Sequence, residues 1–170
     1  METVFVSLVS LALIIVSSVT ITVSAIQSTN KVADSWKQME EKTYETSRTG
    51  IAALPPQQYL GGVVEVTVIN EGQTNLGYFS EWDIITQYDN GNVSYLPYTT
   101  LYPPENNQWT VKGIYVYNGN PEVFDPDVLN PAEQMIVSIK LNPELSVGQS
   151  CRITISTPNG ISTQTQITRE

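Results

Sequence analysis

The sequence offers few side chains that could carry out catalysis. Its 170 residues include no histidine and one cysteine, Cys151, so histidine-based triads, histidine-paired thiolates and histidine metal clusters are excluded. A single cysteine forms neither an internal disulfide nor a zinc or iron–sulfur set. Carboxylates remain, but no pair of them has a spacing that favours acid–base catalysis. We therefore expect no enzymatic activity and no cofactor.

Three features remain as candidate sites. Asp125, Asp127 and Glu133 could supply oxygen ligands to a calcium ion, although a solvated acidic loop is the interpretation that we favour. Asn92 opens an Asn-Val-Ser acceptor sequence for N-glycosylation, which has meaning only if this part of the chain lies outside the cell. Cys151 begins an apolar alternating segment, which predicts a small buried side chain rather than a nucleophile.

The charge balance limits the possible partners. The chain carries 17 acidic and 8 basic residues, a net charge of −9, which disfavours nucleic acids and anionic membrane surfaces. The charges are unevenly placed: residues 3–30 carry none, whereas residues 51–170 carry 12 acids and 4 bases. The acidity therefore belongs to the C-terminal part.

The first 49 residues predict one uninterrupted helix, because all 10 glycines and all 10 prolines lie at or beyond Gly50. Residues 4–26 are apolar and long enough to cross a bilayer, which takes about 20 residues. Serines and threonines are spread through them, which fits either a membrane span that tolerates them or a helix that packs against copies of itself. A cleavable signal peptide fits poorly, because no basic residue precedes the apolar run. The residues that we expect to drive polymerisation are Glu2, Val4, Phe5, Leu8, Leu11, Ile15, Val19 and Ile26.

Residues 31–49 predict an amphipathic continuation of the helix. Val32, Trp36 and Met39 recur at helical spacing between charges of both signs. A helix over all of these residues would be roughly 70 Å long at about 1.5 Å per residue, and its second half would stand clear of a bilayer as a stalk. We assign residues 1–53 to the helix.

From residue 54 the period changes to two, and we assign 54–170 to a β-sandwich. Leu54-Pro55-Pro56 ends the helical pattern, and Val64, Val66 and Val68 then alternate with their neighbours. About seven such segments, separated by turn sequences such as Asp89-Asn90-Gly91, predict an immunoglobulin-like antiparallel sandwich without its disulfide. The fold class is therefore α+β.

A long apolar helix that leads into one sandwich resembles archaellum-type, type IV pilin-like proteins: the archaellins and the archaellum stator proteins. The resemblance rests on the apolar helix that opens with Glu2-Thr-Val, on its continuation over 31–48, and on three sandwich segments, 63–72, 129–133 and 152–160. Precursors of the family carry a basic leader that a prepilin-type peptidase removes. No leader precedes Met1, which implies either a mature terminus or an unprocessed accessory protein. In a mature chain, the resemblance implies that Glu2 neutralises a neighbouring terminus.

The resemblance makes a filament subunit the leading hypothesis. Helices would form the core of an extracellular homopolymer and sandwiches its shell, for motility or adhesion, after passage through the membrane. An assembly ATPase with its platform and the peptidase would be partners. One alternative is a membrane-anchored stator whose sandwich binds the cell wall or S-layer. Another is a membrane-anchored ligand-binding module.

Overall fold

The computed structural model describes residues 2–56, 58–116 and 119–170. The chain divides into two compact units, Met1–Thr43 and Tyr44–Glu170. The first unit is helical, and the second contains all of the described strands together with the last residues of the helix.

Helix α1 runs without a break from Glu2 to Arg48. The prediction of one long N-terminal helix is therefore confirmed. Its end coincides with the first glycine of the chain, since Gly50 follows Arg48 after a single residue. The Thr49 amide still donates to the carbonyl oxygens of Glu45 and Thr46, so the helix closes in a normal final turn.

The described part of the second unit forms nine strands and a short 3-10 helix at Phe79–Glu81. The strands, in chain order, are β1 Ile51–Ala53, β2 Gln58–Leu60, β3 Val63–Asn70, β4 Asp83–Tyr88, β5 Val93–Leu96, β6 Gln108–Tyr115, β7 Gln134–Lys140, β8 Ser150–Ser156 and β9 Ser162–Thr168.

Two antiparallel sheets pack face to face. One has the order β1-β3-β7-β6, with β2 pairing beside β1 along the same edge of β3. The other has the order β5-β4-β8-β9. The side chains alternate as a sandwich requires: in β3, Val64, Val66 and Val68 are fully buried while the residues between them are half-exposed.

The core between the sheets is apolar and closed. Trp82, Trp109, Met135, Ile153 and Ile155 are among its fully buried side chains. The two antiparallel sheets with this core between them confirm the predicted β-sandwich.

Two short strands at the start of the sandwich have no counterpart among the predicted segments. β1 pairs with the end of β3, with Ile51 opposite Asn70, and β2 pairs with its beginning, with Leu60 opposite Val63. Residues 54–57, two of which are prolines, lie between them in the sequence. Strands of three residues are too short to show alternation in the sequence. The predicted boundary at 53/54 therefore falls after the helix end at Arg48 and after β1.

Candidate functional site

The apolar face of α1 is the largest candidate surface. Val4, Leu8, Leu11, Ile15, Val19 and Ile26 fall within an arc of about 80°, at about 100° per residue, and Phe5 borders that arc. Each of these seven side chains is at least 54% exposed. The side chain of Glu2 lies outside the described residues. By length and composition, the apolar stretch suffices to cross a membrane.

The rest of this helix surface is also apolar, since Leu13, Ile14 and Val16 are exposed on other sides. A helix that is apolar all round must be covered by lipid or by other helices. The apolar stretch of α1 is entirely unburied in the described residues.

Five hydroxyl groups in this segment, those of Ser7, Ser17, Ser18, Thr20 and Thr22, bond to carbonyl oxygens of their own helix. Ser17 and Ser18 donate to the carbonyl oxygens of Leu13 and Ile14 at 2.7 and 2.8 Å. Thr20 and Thr22 donate in the same way to Val16 and Ser18 at 2.8 and 2.9 Å. A hydroxyl satisfied inside its helix needs no partner in hydrocarbon. These hydroxyls are therefore compatible with a lone membrane span.

The second half of α1 presents an unpartnered stripe. Val32, Trp36 and Met39 are 52%, 74% and 67% exposed and are spaced by four and three residues, which places them on one face. Lys37 and Glu41 lie 3.9 Å apart on the helix surface, an exposed pair that adds little stability. The stripe is the predicted amphipathic pattern, and its side chains are exposed.

The structure does not bring together the three carboxylates that the sequence offered as calcium ligands. Glu133 is buried, and its Oε2 accepts a 2.8 Å hydrogen bond from the Asn130 amide. Asp125 and Asp127 are exposed. No group of three metal-ligating side chains comes together in the ranges that the structure describes. Glu133 caps its own turn instead of joining the two aspartates.

A different carboxylate, Glu122, organises the acidic loop. Its Oε1 accepts hydrogen bonds from the amides of Phe124 and Asp125 at 2.6 and 3.2 Å. These N–H groups hold the pKa of Glu122 below its usual value. The loop thereby presents Val123 and Phe124 to solvent, 78% and 93% exposed.

Asn92 lies where a glycan can be attached. It is exposed at the end of the turn between β4 and β5, and its amide donates to Asn90 Oδ1 at 3.0 Å. Its carbonyl accepts from the Tyr88 amide at 2.9 Å. The backbone is thus fixed by the hairpin while the side chain is free of the core.

The outer face of the β5-β4-β8-β9 sheet is nearly uncharged. Its outward positions carry one acid, Asp83, and one base, Arg152, in a unit that is otherwise strongly acidic. Ile85 and Tyr95 face each other across β4 and β5 and are 40% and 59% exposed. A scarcity of charge together with exposed aromatic and aliphatic side chains is typical of an interface core.

This sheet also has one open edge. β9 is closed off by β1, because the Ala53 amide donates to Thr163 Oγ1 and Thr165 Oγ1 donates to the Leu54 carbonyl. β5 ends the sheet on the other side, and no described strand pairs with its outer edge. An unpaired strand edge is a template for strand addition from another chain.

An aromatic concavity of about 600 Å³ lies among the β3–β4, β5–β6 and β6–β7 loops, lined by Tyr78, Phe79, Tyr98, Asp127 and Val128 among others. Burial, and to a lesser degree the Asp127 carboxylate, raises the pKa of Tyr98. No sequence pattern signals this site, since its two tyrosines lie 20 residues apart and tyrosines at such positions are more often packing residues.

Two buried groups in the core titrate abnormally. Burial raises the pKa of the Cys151 thiol to about 11, which agrees with its predicted role as a small buried side chain. Burial also raises the pKa of Tyr88 to about 12, and its hydroxyl donates to the Pro143 carbonyl at 2.7 Å. Both groups are held in their neutral form.

Comparisons with known proteins give structural matches only. No protein-family model matches the chain, and no curated protein sequence matches it. The archaellum periplasmic stator protein FlaG from Sulfolobus acidocaldarius is 21% identical with a TM-score of 0.54, over 70% of this chain and 99% of that one. The complex of the stator proteins FlaF and FlaG from the same organism gives 21% identity and a TM-score of 0.53, over 69% and 87%.

A chain of the archaeal flagellum of Methanospirillum hungatei strain JF1 is 17% identical with a TM-score of 0.48, over 94% of this chain and 93% of that one. This third similarity is too distant to support a conclusion. The two Sulfolobus similarities show the fold and confirm the resemblance to archaellum proteins at that level. By their names, these neighbours are structural components and not enzymes.

Proposed function

We propose that this protein is a stator-type structural component of the archaellum, anchored in the membrane by residues 4–26 and located at the cell envelope. The observation that carries the proposal is the fold, which is similar to that of archaellum stator structures with TM-scores of 0.54 and 0.53, over 99% of the length of the first. The apolar helix supplies the anchor that a static component needs.

The chemistry of the helix supports an anchor in lipid. Transfer of the exposed apolar surface out of water is worth about 25 cal/mol per Å², so this segment is stable only when covered. Five of its hydroxyls bond within the helix, among them those of Ser17, Ser18, Thr20 and Thr22. Neighbouring helices are therefore not required to satisfy them.

In this role, the sandwich would bind the part of the cell envelope that keeps the stator in place. The nearly uncharged outer face around Ile85 and Tyr95 and the open edge of β5 form one continuous surface. Strand addition at that edge and burial of the neutral face suit a protein partner of the envelope, such as the S-layer or cell wall. Because a related structure is a complex of two stator proteins, a second stator protein is an equally suitable occupant.

A filament subunit is the second candidate. The arc that contains Leu8, Leu11 and Ile15 is a helix face of the kind that packs in a filament core, and α1 continues for 47 residues without interruption. In that role, an assembly ATPase with its platform and a prepilin-type peptidase would be partners, and the product would be a homopolymer outside the cell.

The test uses the full chain in mild detergent, studied by sedimentation velocity and by co-sedimentation with isolated cell envelope. A stator should remain a monomer or small complex and bind the envelope. Tyr95→Lys, on the neutral face, should weaken that binding about tenfold, as removal of an interface anchor does. Leu60→Lys is the control, since Leu60 is 82% exposed on the other sheet and should have no effect. Long polymers without envelope binding would favour the filament.

We also propose that Asn92 carries an N-linked glycan. The exposed hairpin position and the acceptor sequence both permit transfer. Mass spectrometry of the native protein should show a glycan mass that is absent from Asn92→Gln and from Ser94→Ala. An unmodified native protein would contradict the proposal.

A further inference from the structure

The aromatic concavity beside Tyr78 is a preformed pocket. Three loops line it, and two of them, β3–β4 and β6–β7, are joined by a pair of hydrogen bonds between the backbones of Leu76 and Leu129, at 3.0 and 2.7 Å. The indole of Trp82 donates to the Gly77 carbonyl at 3.0 Å and fixes the first loop to the core. Tyr98 is held by edge-on packing against the buried Trp109, with ring centroids 4.9 Å apart. The pocket walls are therefore rigid without a ligand.

Tyr78 lines the pocket with its backbone in an unfavourable conformation. Its φ and ψ are 50° and 48°, a left-handed conformation that bulky residues rarely adopt. Its side chain is 81% exposed, so packing within the described chain does not explain why a tyrosine stands there. Strain that places a side chain in solvent indicates a role outside the fold.

The pocket combines two features that attract cations. The faces of the Tyr78 and Tyr98 rings are electron-rich, and the Asp127 carboxylate lies at the rim. No basic side chain lies within ion-pair distance of Asp127 in the ranges that the structure describes. Aromatic rings with one unpaired carboxylate form the usual receptor for an ammonium or guanidinium group.

We propose that this pocket binds a lysine or arginine side chain of a partner protein. A protein is favoured over a free cation because Val123 and Phe124 protrude four and three residues before Asp127, on a loop fixed by the Glu122 carboxylate. A polypeptide that inserts its basic side chain can cover this exposed pair at the same time. The assignment goes beyond a stator or filament role and holds for either.

The sandwich of a second copy of this chain is a poorer occupant. Residues 51–170 offer four basic side chains. Lys112 and Lys140 form ion pairs with Glu65 and Glu144, and Arg169 donates to the Leu145 carbonyl at 2.6 Å. Arg152 alone is left without such a bond in the described ranges, and two copies of this acidic unit would also repel each other.

The test measures binding of blocked tripeptides to the full chain in detergent, followed by NMR of carbon-13-labelled tyrosine rings. Acetyl-Gly-Arg-Gly-amide should shift the Tyr78 and Tyr98 signals. The same peptide with citrulline, the uncharged isostere of arginine, should bind about tenfold more weakly. Equal binding of the two peptides would overturn the proposal. An affinity for tetramethylammonium equal to that for the arginine peptide would also overturn it, because it would indicate a site for small cations.

Two variants separate binding from folding. Tyr78→Gly removes the ring where glycine is the preferred residue, so the melting temperature should hold or rise while arginine-peptide affinity falls about fivefold or more. Asp127→Asn should weaken the same affinity, whereas Asp125→Asn, two residues earlier, should not. Unchanged affinity in Tyr78→Gly, or equal effects of the two aspartate changes, would contradict the site. If the protein forms dimers, and if Tyr78→Gly and Arg152→Gln each abolish them, the occupant is a second copy of this chain, which would overturn the proposal.

Discussion

Gly72 lies where the end of the helix meets the sandwich within the second unit. The amides of Glu71 and Gly72 donate to the Gly50 carbonyl at 3.0 and 3.1 Å, and the amide of Gln73 donates to the Arg48 carbonyl at 2.7 Å. A Cβ atom on residue 72 would lie 2.5 Å from the Gly50 nitrogen and 2.6 Å from the Arg48 oxygen. Both are backbone atoms, so Gly72→Ala forces the two segments apart.

The energetic cost comes from the hydrogen bonds at this junction. Separation sufficient to accept the methyl group breaks or lengthens two or three of them, at about 1 kcal/mol each. Alanine also reduces the conformational entropy of the unfolded chain relative to glycine, which stabilises the folded state by about 0.5 kcal/mol. We expect Gly72→Ala to lower the free energy of unfolding by about 2 kcal/mol, and the melting temperature by about 5–10 °C.

The assay is thermal unfolding of the full chain in detergent, followed by near-ultraviolet circular dichroism from the buried tryptophans. Gly77→Ala is the matched control, because the nearest atom to a Cβ at residue 77 is 3.6 Å away, an ordinary contact. Its melting temperature should change by no more than about 2 °C. Equal melting temperatures for the two variants would refute the close-packed junction.

Four further predictions concern the anchor, the domain boundary and the buried titrating groups. Leu11→Arg should reduce carbonate-resistant membrane association, because an arginine at the centre of a span costs about 3 kcal/mol, whereas Ser28→Arg, at the end of the uncharged run, should not; equal association would argue against a membrane span. Residues 44–170 should fold with a higher melting temperature than residues 54–170, which lack β1 and the buried Ile51; identical melting curves would make β1 dispensable. The Cys151 thiol, with its pKa raised to about 11 by burial, should resist iodoacetamide at about pH 8 until the protein unfolds, and rapid alkylation of folded protein would contradict its burial. Because burial raises the pKa of Tyr88 to about 12, the folded state retains a proton that the unfolded state releases above about pH 10; the free energy of unfolding should fall as the pH rises from about 10 to about 12, and less steeply in Tyr88→Phe.

The elements that the sequence predicted are those with a long, uniform signal. The helix has 47 residues without glycine or proline, and β3 shows four alternating buried positions ending at Asn70. A pattern of that length predicts its element correctly even though tertiary contacts can override local preferences. Strands β1 and β2 have three residues each, and their formation depends on pairing with β3 rather than on their own pattern.

The loop contacts could not be predicted because they join residues far apart in sequence. The buried Asn70 side chain donates to the carbonyls of Thr74 and Leu129, and its role shows only when the β6–β7 loop lies beside it. The left-handed conformation of Tyr78 has no marker in the sequence, since glycine or asparagine would be expected there. The hydrogen bonds that join the turn at residues 71–73 to the helix end have no sequence signal either.

The most direct test of the stator assignment is quantitative mass spectrometry of archaella sheared from cells that produce this protein, compared with the remaining membranes. A membrane-anchored stator should stay with the membranes and be at most a trace component of the sheared filaments. Recovery of this chain as a main component of the sheared filaments would contradict the assignment and establish it as a filament subunit.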